Sequence, residues 1–308
     1  MNPLPALNSG PNTGLNAAST LTAFLAAALF SLGFISVAQA DQPKDQSLPL
    51  RVLLVAGGCC HDYSTQSQLL KEGIEARIHA DVTVILSSNK STKTTFEIYE
   101  SDEWADGYDV VIHDECSADV TAKPYVDRIL KAHRSGTPAV NLHCAMHSYR
   151  WGDFRSPVDP GADNAAWYEM IGVQSTAHGP KSPIDIIHSN LSHPITQGLG
   201  DWTTVDEELY NNLRVFSDTT ALTKGNQMTQ PNKRDLKKDP QAKARESTAV
   251  VAWTNEYGPN KTKIFSTSLG HQNETVADQR YLNLVVRGLL WTTGNLSETG
   301  VPSAHLAK

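Results

Sequence analysis

The sequence predicts an α/β domain of the flavodoxin-like, doubly wound kind, built as a single domain on a mainly parallel sheet. Three observations predict it. Short apolar runs rich in Val, Ile and Leu alternate with stretches of helical periodicity, which is the order of a βαβ chain. The runs are continuous rather than alternating, as in strands covered on both faces. Several of them break abruptly into His, Cys and Asp. In open sheets of this kind ligands sit beyond the carboxyl ends of the strands, so the chemistry is sought there.

Arg51 to Ala56 opens the domain and runs into Gly57-Gly58-Cys59-Cys60-His61-Asp62. Ser64 to Ile78 follows as a helix, with Leu69, Leu70, Ile74 and Ile78 on one face and Asp62 placed as its N-cap. Val82 to Leu86 is the second strand. The third is Val110-Val111-Ile112, ending in His113-Asp114-Glu115-Cys116, and a helix carrying Val126, Ile129 and Leu130 stops at Gly136. Pro138 opens the fourth strand, which breaks at Leu142 into His143-Cys144-Ala145-Met146-His147. Later strands are expected at Ile184 to Ile187, Val250 to Trp253 and Lys263 to Thr267, and Gln279 to Trp291 is a closing helix ending at Gly294. Right-handed crossovers put parallel strand ends on one edge of the sheet. Cys60, His61, Cys116, His143 and Cys144 then share a cleft.

Residues 1–40 read as a secretory signal peptide. Leu21 to Val37 is apolar and uncharged, and Ala38-Gln39-Ala40 supplies the small-residue cleavage site before Asp41. Export to the periplasm or the exterior is expected. The alternative is an N-terminal membrane anchor, because the apolar run lies at the short end of the roughly 17–25 residues that span a bilayer. Residues 41–49 form a linker, 50–294 the domain and 295–308 a C-terminal tail. Within the domain, 224–247 is rich in Lys, Asp and Pro and reads as a solvated excursion loop. The net charge of −7 and the lack of a concentrated basic face argue against nucleic acid as a partner. Four cysteines at strand ends permit disulfides, and one of Cys59 or Cys60 can pair with Cys116 or Cys144, but spacing does not choose among the pairings.

The blocks Gly57-Gly58 through His61-Asp62, Leu142-His143 through Trp151, Trp167 through His178, His193-Pro194-Ile195-Thr196, Glu208-Leu209-Tyr210, Ala252 through Tyr257 and Ser268-Leu269-Gly270-His271 resemble, in this order, the ThuA-like (trehalose utilisation) family. That family's fold is similar to class I glutamine amidotransferases. The resemblance covers about Leu50 to Gly294. It implies a small-molecule carbohydrate partner from trehalose or disaccharide catabolism, with 3-keto sugars as a candidate form. Amidotransferases carry a nucleophilic cysteine in a glycine-flanked strand-to-helix elbow. Here His143 occupies that position, Asn141 and Ala145 replace the glycines, and Cys144 stands one residue away. Acid/base or metal chemistry at His143 is therefore expected in place of cysteine catalysis.

His143, His61 and Glu208 are the expected catalytic residues. His61, His143, His178 and His271 are the expected ligands of a divalent transition metal such as zinc, iron or manganese. Trp151, Trp167, Tyr210 and Asp62 are the expected substrate contacts, the aromatic rings offering apolar faces to a sugar. In an extended segment Glu208 and Tyr210 share one face. His113, inside an apolar strand, reads as a core histidine. Two other readings are a non-catalytic carbohydrate-binding or scaffold protein and a hydrolase with Cys144 or Cys60 as nucleophile. A homo-oligomer is compatible with all of them.

Overall fold

The computed structural model describes residues 48–308. The expected signal peptide, and all of the linker before Leu48, lie outside these residues. In chain order the strands and helices of the first half are β1 (Leu50–Gly58), α1 (Tyr63–Glu75), β2 (Ala80–Leu86), β3 (Val110–Cys116), α2 (Lys123–Arg134), β4 (Ala139–Leu142), α3 (Ala166–Ile171), β5 (Val173–Gln174) and β6 (His178–Ser182). The second half has β7 (Asp185–His188), β8 (Trp202–Thr203), β9 (Glu207–Tyr210), β10 (Arg214–Val215), β11 (Thr219–Thr229), α4 (Lys233–Lys238), β12 (Arg245–Tyr257), β13 (Thr262–Thr267), α5 (Asn273–Ala277) and α6 (Gln279–Thr292). Every element expected from periodicity is present, with ends shifted by a few residues.

The main sheet has nine strands in the order β2-β1-β3-β4-β13-β12-β11-β7-β8. From β2 to β13 all neighbours are parallel, and from β13 to β8 all are antiparallel. The expectation of a mainly parallel sheet thus describes the half that carries the strand-end histidines, and a meander extends the other half. The period-2 alternation of β1 explains its unbroken apolar run. Val52 and Leu54 enter a core with Leu70 and Ile74 of α1 and Leu282, Val285 and Leu289 of α6. Leu53 and Val55 enter the opposite core with Val126, Ile129 and Leu130 of α2 and Trp167 of α3. Both faces of the parallel half are covered, as such strands require.

Two expected boundaries need correction. The 224–247 segment is not a loop at its ends: Asn226 pairs with Thr248 and Gln227 with Ser247 in a long β11–β12 ladder, and only its tip, with α4, leaves the sheet. Hydropathy misses this because Gln227 is held by hydrogen bonds, its side-chain amide donating to the carbonyls of Ser182 and Glu207 (2.9 and 3.0 Å). The 295–308 tail is not loose either. Leu306 is buried in the α1/α6 core, and its carbonyl accepts from His79 N–H at 2.9 Å. No helix among the described residues is long and apolar enough to cross a membrane.

Candidate active site

The strand order reverses at β1, which has β2 on one side and β3 on the other. This is the switch point at which α/β sheets open a crevice. Around it stand the carboxyl ends of β1, β3, β4 and β13. His61 follows β1, His143 follows β4 and His271 follows β13, while β9 brings Glu208 to the same place. One ligating atom from each of His61, His143, Glu208 and His271 lies within 4.8 Å of the others.

Each side chain is aimed by its local backbone. His143 sits in the left-handed region at φ 37°, where a side chain is projected from a tight turn at a cost of about 1–3 kcal/mol. A 3-10 turn over His143–His147 follows it. This is the elbow geometry expected of the position, carried by a histidine. Its Nδ1–H donates to the Ser268 carbonyl at 2.7 Å. The Nε2 lone pair therefore faces Tyr210 Oη at 3.3 Å and Glu208 Oε2 at 3.8 Å. His61 bonds Tyr63 Oη through Nδ1 (3.1 Å) and turns Nε2 to His271 Nδ1 (3.0 Å), so that one proton lies between two ring nitrogens. His271 Nδ1 is also 3.3 Å from Glu208 Oε2.

The turn bearing His271 is clamped from two sides. Gln66 of α1 donates to the carbonyls of Gly270 and His271, and the buried Glu207 accepts from the N–H groups of His271 and Gln272 at 3.1 and 3.0 Å. Gly270 is required there: its φ is 117°, and a Cβ would stand 2.8 Å from Tyr281 Oη. At the end of β1, a Cβ on Gly58 would strike the Cys116 carbonyl, so the glycine permits the close approach of β1 and β3 ends.

Burial, reinforced by His143 and His271, pushes the His61 imidazole down to about 2. Burial likewise lowers His143 to about 4, against the opposing pull of its Ser268 bond and of Glu208. Burial acts to raise the Glu208 carboxyl, but the His271 hydrogen bond and the neighbouring imidazoles outweigh it and hold it low. At neutral pH His61 and His143 are thus neutral imidazoles and Glu208 is an ionised carboxylate, the protonation states that metal ligation requires. Imidazole nitrogens fixed by hydrogen bonds through their other ring nitrogen are also the usual support of a ligand histidine. The donor set fits a divalent transition ion.

The remaining expected site residues divide. His178 lies at the rim, its Nδ1 3.6 Å from Glu208 Oε1, outside the four-residue cluster. Tyr210 belongs to the cluster but offers no open platform, because the His147 ring stacks on it at 4.1 Å and His178 lies over it at 5.8 Å. Trp167 is a core residue, 1% exposed, and donates to the Ala145 carbonyl. Trp151 donates to Asp163 and packs against that same core. Asp62 caps α1 through Thr65 N–H and accepts from Asn273 at 3.0 Å. It also lines a cleft of about 430 Å³ with Gly58, His61, Tyr63 and Lys90. A second cleft of about 460 Å³, on the other side of the rim, is lined by His178 and Tyr210. Sequence reasoning missed Tyr63, Gln66 and Glu207. Gln66 had a signal, a polar residue four positions before Leu70 on the apolar stripe of α1.

The cysteines pair as Cys59–Cys60 and Cys116–Cys144. Of the pairings that spacing left open, the structure has none of the cross-links between the first two cysteines and the last two, and it leaves no free thiol among the four for cysteine catalysis.

Fold and cluster together define a doubly wound α/β protein with a histidine–carboxylate site at the carboxyl edge of its parallel strands. The chain belongs to the trehalose utilisation (ThuA) family, whose pattern matches residues 51–292. Its fold is similar to that of a ThuA-like protein from Parabacteroides merdae ATCC 43184, with a TM-score of 0.53 at 15% identity over 84% of this chain and 97% of that one. A ThuA-like protein from Bacteroides uniformis ATCC 8492 gives a TM-score of 0.51 at 16% identity over 82% and 94%. No curated protein matches the sequence.

Proposed function

We propose that the protein is an exported enzyme of disaccharide catabolism, acting on a trehalose-like sugar or its 3-keto derivative, with His61, His143, His271 and Glu208 holding a divalent transition metal. What supports the reading is the convergence of three imidazoles and one carboxylate within 4.8 Å, in a family whose description is trehalose utilisation. A bound ion supplies Lewis acidity toward a carbonyl or hydroxyl oxygen. The chain's own groups do the rest. Tyr210 Oη, on the His143 side, donates or recovers a proton at a sugar oxygen. His178, at the rim, is positioned to relay it to solvent. Glu207 and Gln66 keep the His271 turn in place during turnover.

The test uses mature protein made without a histidine tag. Elemental analysis is expected to find about one transition ion per chain, and His143→Ala to lose most of it, because a coordinate bond is deleted; loss of a supporting partner such as Gln66 costs only about 10–100-fold in affinity. Metal-free protein that turns over keto-disaccharides unaffected by chelators would leave histidine acid/base catalysis without metal. Sugar binding that survives both His143→Ala and His271→Ala, with no turnover in the parent protein, would favour a non-catalytic binding protein.

A further inference from the structure

The cysteines invite a separate explanation. A disulfide stabilises mainly by closing a loop of the unfolded chain, and Cys59–Cys60, with a sequence separation of 1, closes none. Cys116–Cys144 ties two strand ends whose strands, β3 and β4, are already hydrogen-bonded neighbours. The vicinal bond therefore has no evident stabilising task, whereas Cys116–Cys144, with a sequence separation of 28, constrains the unfolded chain. The arrangement of the two bonds is suggestive. The β1–β3 register sets Gly58 beside Cys116, and this carries Cys59 Sγ to 3.5 Å from Cys116 Sγ, in van der Waals contact between the two disulfides. Cys60 is exposed and held in the left-handed region at φ 85°, while Cys116 and Cys144 are 3% and 4% exposed. One end of the array is open to solvent and the other is closed.

We propose that these four cysteines form a thiol–disulfide exchange relay that accepts two electrons from an external dithiol at Cys60 and delivers a thiol to Cys144. A thiolate of the dithiol attacks Cys60 Sγ, the Cys59–Cys60 bond breaks, and its electron pair leaves on Cys59. The second thiol of the donor attacks the mixed disulfide, so that the donor departs as a disulfide and Cys60 remains as a thiol. The Cys59 thiolate then attacks Cys116 Sγ and displaces Cys144, which takes a proton. Two protein disulfides and one dithiol become one protein disulfide, Cys59–Cys116, two protein thiols and one oxidised donor. Exchange of this kind needs contact and an accessible entry sulfur, and both are present. Cys60 precedes His61 and Cys144 follows His143, so the exchange ties the turn that carries His61 to the end of β3 and frees the turn that carries His143 from it. The relay is independent of the sugar chemistry proposed above.

The experiment is one equivalent of dithiothreitol on the full folded protein, an acid quench, alkylation and peptide mapping by mass spectrometry. A tryptic digest separates the Cys59/Cys60, Cys116 and Cys144 peptides. The expected product joins the first two through a disulfide and carries the alkyl label on Cys60 and Cys144. Label confined to Cys59 and Cys60, with Cys116–Cys144 intact, overturns the relay. So does label on Cys116 and Cys144 with the vicinal pair intact. Cys60→Ser tests the internal step without any reductant. Most of the label should then fall on Cys144 and little on Cys59, whereas label mainly on Cys59 sinks the proposal.

Discussion

Two histidine clusters stand out among the described residues, one around His113 on β3 and one at the ends of β1, β4 and β13, and only one of them is a candidate for chemistry. His113 and His133 sit in the α2/α3 core with no exposure at all. His113 pairs with Glu115 at 2.9 Å through Nδ1 and with His133 at 2.9 Å through Nε2, and His133 Nδ1 donates to the Thr137 carbonyl at 2.7 Å. Every ring nitrogen there has a protein partner, and Tyr99, Trp104 and Trp167 close the space around the pair. The cluster at the strand ends has the same residue types and comparable distances, yet His61 borders an open cleft and the nitrogens converge on a carboxylate. Histidines in proximity do not make a site. Convergent lone pairs with access to a ligand do.

The largest expected difference between the clusters is in stability. His133→Ala opens a cavity and leaves His113 Nε2 without its partner, so it should cost about 2–5 kcal/mol. His61→Ala, at a partly open position, should cost less than about 1 kcal/mol. Urea unfolding of both variants checks the contrast, and equal losses would erase the distinction between core and site.

A smaller effect is pH dependence. Burial, with His113 beside it, lowers the His133 imidazole to about 3. The unfolded chain takes up that proton near pH 6.5 and the folded one does not. The contribution of His133 is therefore complete above about pH 6.5 and is lost as pH falls toward 3, by at most about 1.4 kcal/mol per pH unit for one proton. Subtracting the profile of His133→Gln from that of the parent isolates this slope from the carboxylates that titrate in the same range. Identical slopes would mean that His133 is protonated in the folded state.

The smallest expected effect concerns Asp62, which stands at the mouth of the His61 cleft. As an N-cap its loss in Asp62→Ala should cost about 0.5–1 kcal/mol and leave metal content unchanged. A variant of undiminished stability that no longer binds sugar would move Asp62 from the helix to the site.

Glu208 and Tyr210 illustrate what was legible. Their spacing in an extended segment puts them on one face, and both in fact meet His143. Trp167 illustrates the opposite case. Nothing in its neighbours along the chain distinguishes a sugar platform from a core residue, because the difference lies in the Ala145 carbonyl and the Tyr149 ring that surround it. Glu207 was invisible for a related reason, since an acid beside other acids reads as solvated until the N–H groups of His271 and Gln272 are seen to face it.

By itself the sequence determined the parallel strands, their helices and the edge at which His61, His143 and His271 emerge, because hydrophobic periodicity and strand-end chemistry are local properties of the chain. The tertiary structure alone decided the antiparallel half of the sheet, the disulfide pairing, and which aromatic and acidic groups close around the histidines. Those depend on what a distant segment sets opposite each residue, and Gln66 reaching across to Gly270 and His271 is a contact that no spacing along one strand or helix encodes.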